Sequence, residues 1–352
     1  LDNVWLILER ICDYMRILPS LLSELPPAES EFEHLVFDFC QLWRSGAKSF
    51  LFHSSGSTGD PKPIQLSREQ LYSSAKMTGE WLHLEKGDVA LLSLSPSYIA
   101  GAMVLVRALV HDLSLILVEP CQNPLLQIPP TPIHLASFVP TQWTTILDSD
   151  VDLNLYFMEA KGILLGGASV PDSLRRDFGF PVYETYGMTE TVSHIAYRTW
   201  NQPEFKILPG VQIAQNEENC LLICAPMTEN RWIETRDVVE IIEPGHFKLS
   251  GRLDRIINSG GLKIQPERIE EVYRSVIDAP LFVTGIPDEF WGQKVVLFIE
   301  ASQMPLYNEE TVQERLNSYE VPKQVVCLPS FIKTPSAKID TLKTVALYLN
   351  SI

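Results

Sequence analysis

Short apolar runs alternate with amphipathic segments through the first half of the chain. Five runs have the length and composition of buried strands, namely KSFLFH, VALLSLS, LSLILVE, HLASFV and KGILLGG. Three of the segments between them place their apolar residues at helical spacing, namely SREQLYSSAKMTGEWL, AGAMVLVRALVHD and PTQWTTIL. Because strands and helices alternate in this order, the pattern predicts a layered α/β domain.

The pattern changes between about Tyr183 and Leu249. Closely spaced strands such as VSHIAYRTW, NCLLICAP and VVEIIEP follow one another there, which predicts a smaller β-rich subdomain packed on the first. After GRLDRIINSGG, a helix that opens at Pro266 is followed by the strands LFVTGI and KVVLFIE, a second helix and the strand QVVCL. We therefore predict two domains, residues 1–250 and residues 251–352.

The opening stretch, LDNVWLILERICDYMRILPSLL, has the pattern of an amphipathic helix. Charged residues interrupt it, so it lacks the unbroken apolar core of a signal peptide and the length of a membrane span. This pattern favours a soluble, untargeted chain in the cytoplasm, without membrane insertion.

The charge balance restricts the partners of the chain. Lys and Arg number 28 against 44 Asp and Glu, a net charge of -16, and this field repels nucleic acid and anionic membranes. Any anionic ligand must therefore be held by local donors. Among six cysteines the only close pair is Cys220 and Cys224, with no histidine at metal-ligand spacing, so the sequence indicates neither a zinc site nor disulfides.

The stretch FHSSGSTGDPKPIQLS, from Phe52 to Ser67, is rich in glycine and hydroxyl residues. Glycines let a backbone approach a ligand closely and hydroxyls add donors beside exposed amides, so such a loop can wrap a phosphate. It is not the P-loop of common NTPases, because Lys62 lies between Pro61 and Pro63. Composition alone leaves open an ordinary surface loop between two strands.

Four further motifs follow this loop in order: YETYGMTET, TRDVVEI, GRLDRIINSGGLKIQPERIE and TPSAKIDTLKT. Together with the loop they resemble the core motifs of the adenylate-forming superfamily, which comprises acyl-CoA synthetases, adenylation domains of peptide synthetases and luciferases. The resemblance spans about residues 50–343, and five motifs in one order are highly specific. It implies a large α/β domain with a small β-rich subdomain, followed by a small mobile α+β domain.

Within the superfamily, SFVPTQWTTIL, ILLGGASVP and YGMTETVSH are most similar to the ligases of menaquinone biosynthesis that join o-succinylbenzoate to CoA. The resemblance implies an AMP-forming ligase that uses ATP, Mg2+ and CoA. A carboxylate attacks the α-phosphate of ATP to give an acyl-adenylate and pyrophosphate, and the CoA thiol then displaces AMP. Because both partners in the first step are anions, donors and positive charge must converge on the phosphorus.

The resemblance assigns the triphosphate to the loop and to the YGMTE motif. Thr189 is expected to donate to the α-phosphate, and Glu190 to hold Mg2+, whose charge is needed in an acidic chain. A helix cap is the alternative interpretation of this Thr–Glu pair. The loop residues expected to bind ATP are Ser54, Ser55, Gly56, Ser57, Thr58, Gly59 and Lys62.

The nucleoside is assigned to the motifs that follow. Tyr186 is expected to lie against the adenine, Asp237 to accept from the ribose hydroxyls, and Arg252 to bind near ribose and phosphate. Without the other motifs, Asp237 would be a turn aspartate and GRLDR a charged linker. The other residues expected to line the ATP or AMP site are Gly166, Gly167, Ala168, Glu184, Thr185 and Gly187.

Lys338 is expected to bridge the attacking carboxylate and the α-phosphate, with an ordinary exposed lysine as the alternative. Because it lies on the small domain and the loop lies on the large one, adenylation requires the domains to close, with Asp254 as the hinge. A second closed arrangement must admit CoA. Gly260 and Gly261 are expected to line the pantetheine tunnel, where side chains would obstruct it.

The acyl group is assigned to the AGAMVLVRAL helix and its surroundings. The helix is apolar from Ile99 to Val110 except for Arg107, and a buried arginine needs an anionic partner. A carboxylate of the protein and the aromatic carboxylate of o-succinylbenzoate are equally open as that partner. The residues expected at the acyl site are Tyr98, Arg107, Ser193 and His194.

Some positions depart from the superfamily pattern. Relatives usually carry a longer region before the loop, whereas 53 residues precede Ser54, so we expect one subdomain to be missing or reduced. Pro63 and Ala337 stand where glycines are usual, and Tyr98 where many relatives have a histidine. Two alternative functions stay open: a ligase for another aryl or fatty acid, and a nucleotide-binding module without catalysis. The sequence also leaves open a homodimer.

Overall fold

The computed structural model describes residues 9–11, 14–17, 27–53, 62–168, 170–171, 174–334 and 339–350. Within them the chain has a mixed α/β fold, as the sequence predicts. The helices are α1 (Glu31–Arg44), α2 (Arg68–Leu82), α3 (Ile99–His111), α4 (Pro140–Leu147), α5 (Asn154–Phe157), α6 (Pro266–Arg274), α7 (Glu309–Arg315) and α8 (Thr341–Leu349).

The strands of the described residues belong to three sheets. Those in the first half are β1 (Glu9–Ile11), β2 (Tyr14–Ile17), β3 (Ser49–His53), β4 (Pro63–Ser67), β5 (Val89–Leu92), β6 (Ser114–Leu117), β7 (Leu135–Phe138), β8 (Gly162–Leu165) and β9 (Val182–Gly187). Those in the second half are β10 (His194–Arg198), β11 (Phe205–Ile207), β12 (Gln212–Gln215), β13 (Cys220–Cys224), β14 (Ile233–Glu243), β15 (His246–Arg252), β16 (Ile257–Ser259), β17 (Leu262–Ile264), β18 (Leu281–Asp288), β19 (Gly292–Glu300) and β20 (Gln324–Leu328).

Thirteen of the described strands form one sheet, in the order β1-β2-β6-β5-β7-β8-β9-β10-β11-β15-β14-β13-β12. The strands β6, β5, β7, β8 and β9 run parallel, and the pairs from β9 to β12 are antiparallel. The β-rich segment predicted from Tyr183 therefore continues the parallel sheet through β9. Strand β9 belongs to both halves of the sheet, which places its residues at the junction.

The parallel strands are buried on both faces, which explains why their sequences are continuous apolar runs. On β5, Leu92 packs on one side in a core that includes Leu105 of α3. Leu91 packs on the other side with Trp143 of α4 and Phe157 of α5. The helices α1 to α3 thus cover one face and α4 and α5 the other, as the alternation of strands and helices predicts.

The amphipathic helix predicted at the start of the chain is wrong for the residues that the structure describes there. Residues 9–11 and 14–17 are strands, and β2 pairs with β6 at the edge of the large sheet. Met15 and Ile17 are buried, with Ile17 exposed by only 1%. Alternate side chains of a strand share one face, so tertiary pairing has overridden the helical pattern.

The last part of the chain has its own sheet, made of β16, β17, β18, β19 and β20, together with α6, α7 and α8. Its buried residues, such as Ile269 and Leu297, form cores that share no residue with those of the large sheet. The boundary predicted near Gly251 falls inside β15. No helix among the described residues combines the length and apolar character needed to cross a membrane.

Candidate active site

The predicted nucleotide residues meet at the carboxyl edge of the parallel strands. Strand β8 leads directly into Gly166, and its neighbour β9 ends at Gly187. Residues 167 and 168, which follow β8, are exposed. Because open α/β sheets bind ligands outside the carboxyl ends of their strands, this edge is the natural place for a ligand.

Close contacts between neighbouring segments explain two of the glycines at this edge. A β-carbon on Gly166 would lie 2.8 Å from Oγ1 of Thr185, which donates a hydrogen bond to the carbonyl of Leu165 at 2.9 Å. A β-carbon on Gly187 would lie 2.1 Å from the carbonyl oxygen of Ser193. The second contact is backbone on backbone, so β9 and β10 can approach this closely only at a glycine.

The Thr–Glu pair forms a short 3₁₀ turn, Thr189–Thr191, directly after β9. Thr189 is buried and Glu190 is exposed, and the chain then enters β10 at His194. The alternative interpretation as a cap of an α-helix is therefore wrong, because a strand follows. An exposed carboxylate fits Mg2+, which proteins usually bind through one or two carboxylates with water and substrate phosphates. Within the described ranges no cluster of three metal-ligand side chains exists.

The same turn is strained. Val192 has φ 66° and ψ -55°, and the amide of Ser193 donates to the carbonyl of Thr191 at 2.7 Å, so Val192 is the centre of a γ-turn with positive φ. This conformation is rare and costs about 1–3 kcal/mol. Oγ1 of Thr191 holds the turn, because it accepts from the amide of Met188 at 3.0 Å and bonds the carbonyl of Ser193 at 2.9 Å. The strain fixes the direction in which Ser193 leaves the turn.

Four predicted residues form one hydrogen-bonded network. The buried carboxylate of Asp237 accepts from the hydroxyl of Tyr186 at 2.6 Å and from Nη1 of Arg252 at 3.0 Å. Nε and Nη2 of Arg252 donate to the two oxygens of Asp254 at 3.0 and 2.9 Å. Each oxygen of Asp237 keeps a further acceptor position, which fits hydroxyl donors such as those of a ribose.

The protonation states agree with this direction of donation. Burial, followed by the charge of Asp237, raises the pKa of the Tyr186 hydroxyl well above its usual value. The hydrogen bonds from Arg252 lower the pKa of Asp254. The Tyr186 ring packs against Phe205 and Phe247, with centroid distances of 5.8 and 5.3 Å. Its contact with adenine remains a prediction.

Glu184, also predicted at the nucleotide site, is held by two arginines. Arg198 donates from Nε at 2.8 Å and from Nη2 at 2.9 Å, and Arg175 donates from Nη2 at 3.0 Å. The carboxylate therefore joins β9 to β10 and to the segment before β9. Its contact with ATP or AMP remains a prediction.

Three of the four predicted acyl-site residues lie together, with Arg107 and His194 buried and Ser193 half-buried. Nη2 of Arg107, on α3, donates to Oγ of Ser193 at 2.9 Å, and Oγ of Ser193 lies 3.3 Å from Nδ1 of His194. Arg107 is exposed by only 2%, and its Nε has no hydrogen-bond partner among the described residues. Tyr98, the N-cap of α3, is 41% exposed and about 13 Å away along the helix axis, so the structure does not bring it into this group.

Burial dominates the electrostatics of this group. It lowers the pKa of Arg107 to about 10, and no carboxylate of the described residues counteracts this shift. Burial and the nearby positive charge of Arg107 together lower the pKa of His194 well below its usual value, so the imidazole is neutral. Of the two partners that the sequence leaves open for Arg107, the described part of the chain offers no carboxylate.

Sequence reasoning missed Thr78, a buried residue of α2. Its Oγ1 lies 3.1 Å from Nε2 of His194, although 116 positions separate the two residues in sequence. A threonine inside an amphipathic helix carries no motif. Only the packing of α2 against β10 could have revealed it.

The glycines predicted to line a CoA tunnel form a hairpin turn. Gly260 and Gly261 connect β16 to β17 with φ values of 58° and 82°. Two positive φ values are the requirement of a tight two-residue turn, so the backbone alone explains both glycines. Their contact with CoA remains a prediction.

Two predicted elements lie outside the described residues. These are the loop residues Ser54 to Gly59 and the lysine Lys338. The structure describes what flanks the loop, because β3 and β4 pair as a hairpin with His53 opposite Pro63. Lys62, directly before β4, is exposed.

Comparison with known proteins identifies the family. The family model described as "AMP-binding enzyme" matches residues 39–221, which is just over half of the chain. The chain belongs to the AMP-binding enzyme family. The match covers the strands β3 to β12 and therefore the carboxyl edge described above.

Curated relatives in this family include two bacterial proteins named 2-succinylbenzoate–CoA ligase. The protein of Lactococcus lactis is 27% identical over 82% of this chain and 69% of its own length. The protein of Staphylococcus epidermidis is 29% identical over 85% of this chain and 70% of its own length.

Solved structures give the same family. An acyl-CoA synthetase (AMP-forming)/AMP-acid ligase II-like protein from Dyadobacter fermentans is 35% identical, with a TM-score of 0.65 over 95% of this chain and 99% of that one. The o-succinylbenzoate CoA synthetase of Bacillus subtilis, in complex with its acyl-adenylate intermediate, has a TM-score of 0.73 over 83% of this chain and 68% of that one. At 24% identity, the second likeness concerns the fold alone.

Proposed function

We propose that the chain is an AMP-forming acid–CoA ligase whose acid is o-succinylbenzoate. Membership of the AMP-binding enzyme family supports the reaction class. The names of the curated relatives, which are 27% and 29% identical to this chain, support the acid. ATP, Mg2+ and CoA are the substrates and metal that this reaction requires.

The observation that carries the choice of acid is the buried charge of Arg107. Its one hydrogen-bond partner in the described structure is a neutral hydroxyl, and its Nε is unpaired. A buried charge without an opposite charge is strongly unfavourable. A dicarboxylate provides two anions, one for activation and one to pair with this arginine, whereas an ordinary fatty acid provides only the first.

The remaining residues fit roles in the first half-reaction. Asp237 would accept from the ribose hydroxyls, Glu190 would hold Mg2+ with the phosphates, and Thr189 would donate to the α-phosphate. Lys338 would bridge the carboxylate and the α-phosphate. A Lys338→Ala variant should lose adenylation by several orders of magnitude and keep most of the transfer from supplied acyl-adenylate to CoA.

A coupled assay of thioester formation tests the acid directly. We compare o-succinylbenzoate with 4-oxo-4-phenylbutanoate, which has the same succinyl side chain and lacks the aromatic carboxylate. The wild-type protein should prefer o-succinylbenzoate by about 100-fold in kcat/KM, the effect expected when one partner of a buried charge pair is removed. Arg107→Gln should abolish the preference, because the group that reads the second carboxylate is gone.

Arg107→Lys is the matched variant, since it keeps the charge and shortens the donor set. It should retain part of the preference. Circular dichroism and thermal unfolding separate a folded variant from a collapsed one. Equal rates of the wild type on both acids would reject o-succinylbenzoate, and a preference for long-chain acids would favour a fatty-acid ligase.

A further inference from the structure

The hydrogen bonds around His194 form a continuous chain from α2 to α3. Nη2 of Arg107 bonds Ser193 at 2.9 Å, Ser193 bonds Nδ1 of His194 at 3.3 Å, and Nε2 of His194 lies 3.1 Å from Thr78. At the far end, Oγ1 of Thr78 reaches the backbone carbonyl of Ser74 at 3.1 Å. The proposed acyl site is one end of this chain, and a carbonyl of α2 is the other.

The number of available hydrogens determines which group donates in each hydrogen bond between Arg107 and Ser74. The guanidinium of Arg107 can only donate, the carbonyl of Ser74 can only accept, and each hydroxyl has one hydrogen. If Thr78 donates to Ser74, then His194 donates from Nε2 to Thr78, and Ser193 donates to Nδ1 of His194. Every hydrogen then has an acceptor, and all four contacts are hydrogen bonds.

The reverse tautomer satisfies fewer groups. With a hydrogen on Nδ1, His194 and Arg107 would both donate to the same oxygen of Ser193, and the hydroxyl hydrogen of Ser193 would have no acceptor in the chain. The carbonyl of Ser74 would lose its bond from Thr78. Thr78 and His194 are buried and Ser193 is half-buried. Because an unsatisfied buried donor costs about 1–3 kcal/mol, the forward direction, in which every hydrogen has an acceptor, is favoured.

We propose that Thr78 is a positioning residue of the acyl site, which fixes the Nε2–H tautomer of His194 and thereby gives the hydroxyl hydrogen of Ser193 an acceptor, so that the oxygen of Ser193 accepts from Arg107 alone. This inference rests on the proposed function for its effect on the acid, but the tautomer itself does not. Thr78 touches no reacting atom. It acts through His194 and Ser193, and it leaves the unpaired Nε of Arg107 as a donor for a carboxylate.

The backbone supports this assignment independently. The strained γ-turn at Val192 lies directly before Ser193 and His194, and the close contact at Gly187 holds the other strand against them. A sequence retains strain of this kind only where the surrounding structure enforces it, and such strain clusters at functional sites. The γ-turn and the contact at Gly187 therefore orient Ser193 and His194 through the backbone, and Thr78 orients His194 through its side chain.

The matched variants are Thr78→Val, which keeps the shape and removes the hydroxyl, and Thr78→Ser, which keeps the hydroxyl. Thr144→Val is the control, because Oγ1 of Thr144 makes the same bond to a carbonyl four residues earlier, at 3.0 Å to Pro140, with no histidine attached. Long-range ¹⁵N–¹H spectra of the histidine rings identify the tautomer in the protein without substrate, with His194→Gln used for assignment.

In the wild type, Thr78→Ser and Thr144→Val, we expect His194 to carry its hydrogen on Nε2. In Thr78→Val it should lose that signature, and the KM for o-succinylbenzoate should rise about tenfold while kcat and the KM for ATP change by less than twofold. An Nδ1–H tautomer in the wild type would overturn the proposal, as would a Thr78→Val variant with unchanged tautomer and KM. If the wild type activates no o-succinylbenzoate, the proposed function fails, and the tautomer comparison still decides the role of Thr78.

Discussion

At the level of single residues, the main feature of the site is a neutral histidine buried beside a charged arginine. His194 accepts no proton from water there, because burial and Arg107 both disfavour the imidazolium form. Its pKa in the unfolded chain is about 6.5. Because the pKa of His194 is lower in the folded chain than in the unfolded chain, the free energy of unfolding depends on pH through this residue.

The direction in which the free energy of unfolding changes with pH follows from which state binds the proton. Below about pH 6.5 the unfolded chain binds a proton at His194 that the folded chain does not bind, so the free energy of unfolding decreases as the pH falls. The largest slope from one such group is about 1.4 kcal/mol per pH unit. We expect His194→Gln to reduce the loss of stability between about pH 6.5 and pH 5. Urea unfolding at a series of pH values measures it.

His34→Gln is the control for this measurement, since His34 is an exposed residue of α1. It tests the removal of an imidazole outside the core. A slope that stays the same in His194→Gln would mean that the folded protein protonates His194 as readily as the unfolded chain, and the interior assigned to it would be incorrect.

At the level of secondary structure, the contact between β9 and β10 is the most demanding feature of the site. A β-carbon on Gly187 would lie 2.6 Å from Cα of His194 as well as 2.1 Å from the Ser193 carbonyl. Gly187→Ala must therefore separate two backbones, and we expect it to destabilise the fold by about 1–3 kcal/mol and to abolish activity. Urea unfolding and the thioester assay measure the two effects.

Gly285→Ala, in β18, is the control for a glycine inside a strand. The three atoms nearest to its β-carbon would belong to the side chains of Ile257 and Gln293, at 2.9 Å or more, rather than to the backbone. We expect a smaller loss of stability and full activity. If Gly187→Ala behaves like this control, the strands have room that the structure does not show, and the glycine has another purpose.

The sequence predicts strands and helices best where one pattern has one interpretation. The runs VALLSLS and KGILLGG are strands with both faces buried, as their continuous apolar character indicates. The pattern at the start of the chain predicts a helix, but pairing of β2 with β6 makes residues 14–17 a strand. The γ-turn at Val192 had no signal at all, since a β-branched residue is the last choice for positive φ.

The same limit applies to the site. Motifs predicted the residues at the carboxyl edge, together with Asp237 and Arg252, because their residue types in that order are typical of nucleotide chemistry. Their contact with a nucleotide stays a prediction. They predicted Arg107, Ser193 and His194 as separate candidates, and the structure brings these three together. Thr78 could not be predicted, because a contact between residues 116 positions apart depends on the packing of α2 on the sheet.

At the level of the whole molecule, two arginines flank Asp254, the predicted hinge between the large sheet and the last part of the chain. Arg252 donates to Asp237 of the large sheet at 3.0 Å. Arg255, three residues later, donates to Glu267 at 2.9 Å and to Glu270 at 2.5 Å, both on α6. Residues 253 and 254 lie between these two arginines, and we expect them to absorb a rotation between the parts. The sequence predicts Asp254 as the hinge, and this stays a prediction.

A proline at Asp254, the predicted hinge, tests whether such a rotation is required. Asp254→Pro fixes φ near -65°, whereas Asp254→Ala removes the same carboxylate and its bonds to Arg252 but leaves φ free. We expect the proline to slow one half-reaction by at least about tenfold and to spare the other, because only one arrangement remains accessible. Pyrophosphate exchange measures adenylation, and transfer from supplied acyl-adenylate measures thioester formation. The alanine variant should affect both by similar, small factors, and equal losses in the proline variant would mean that a single arrangement serves both steps.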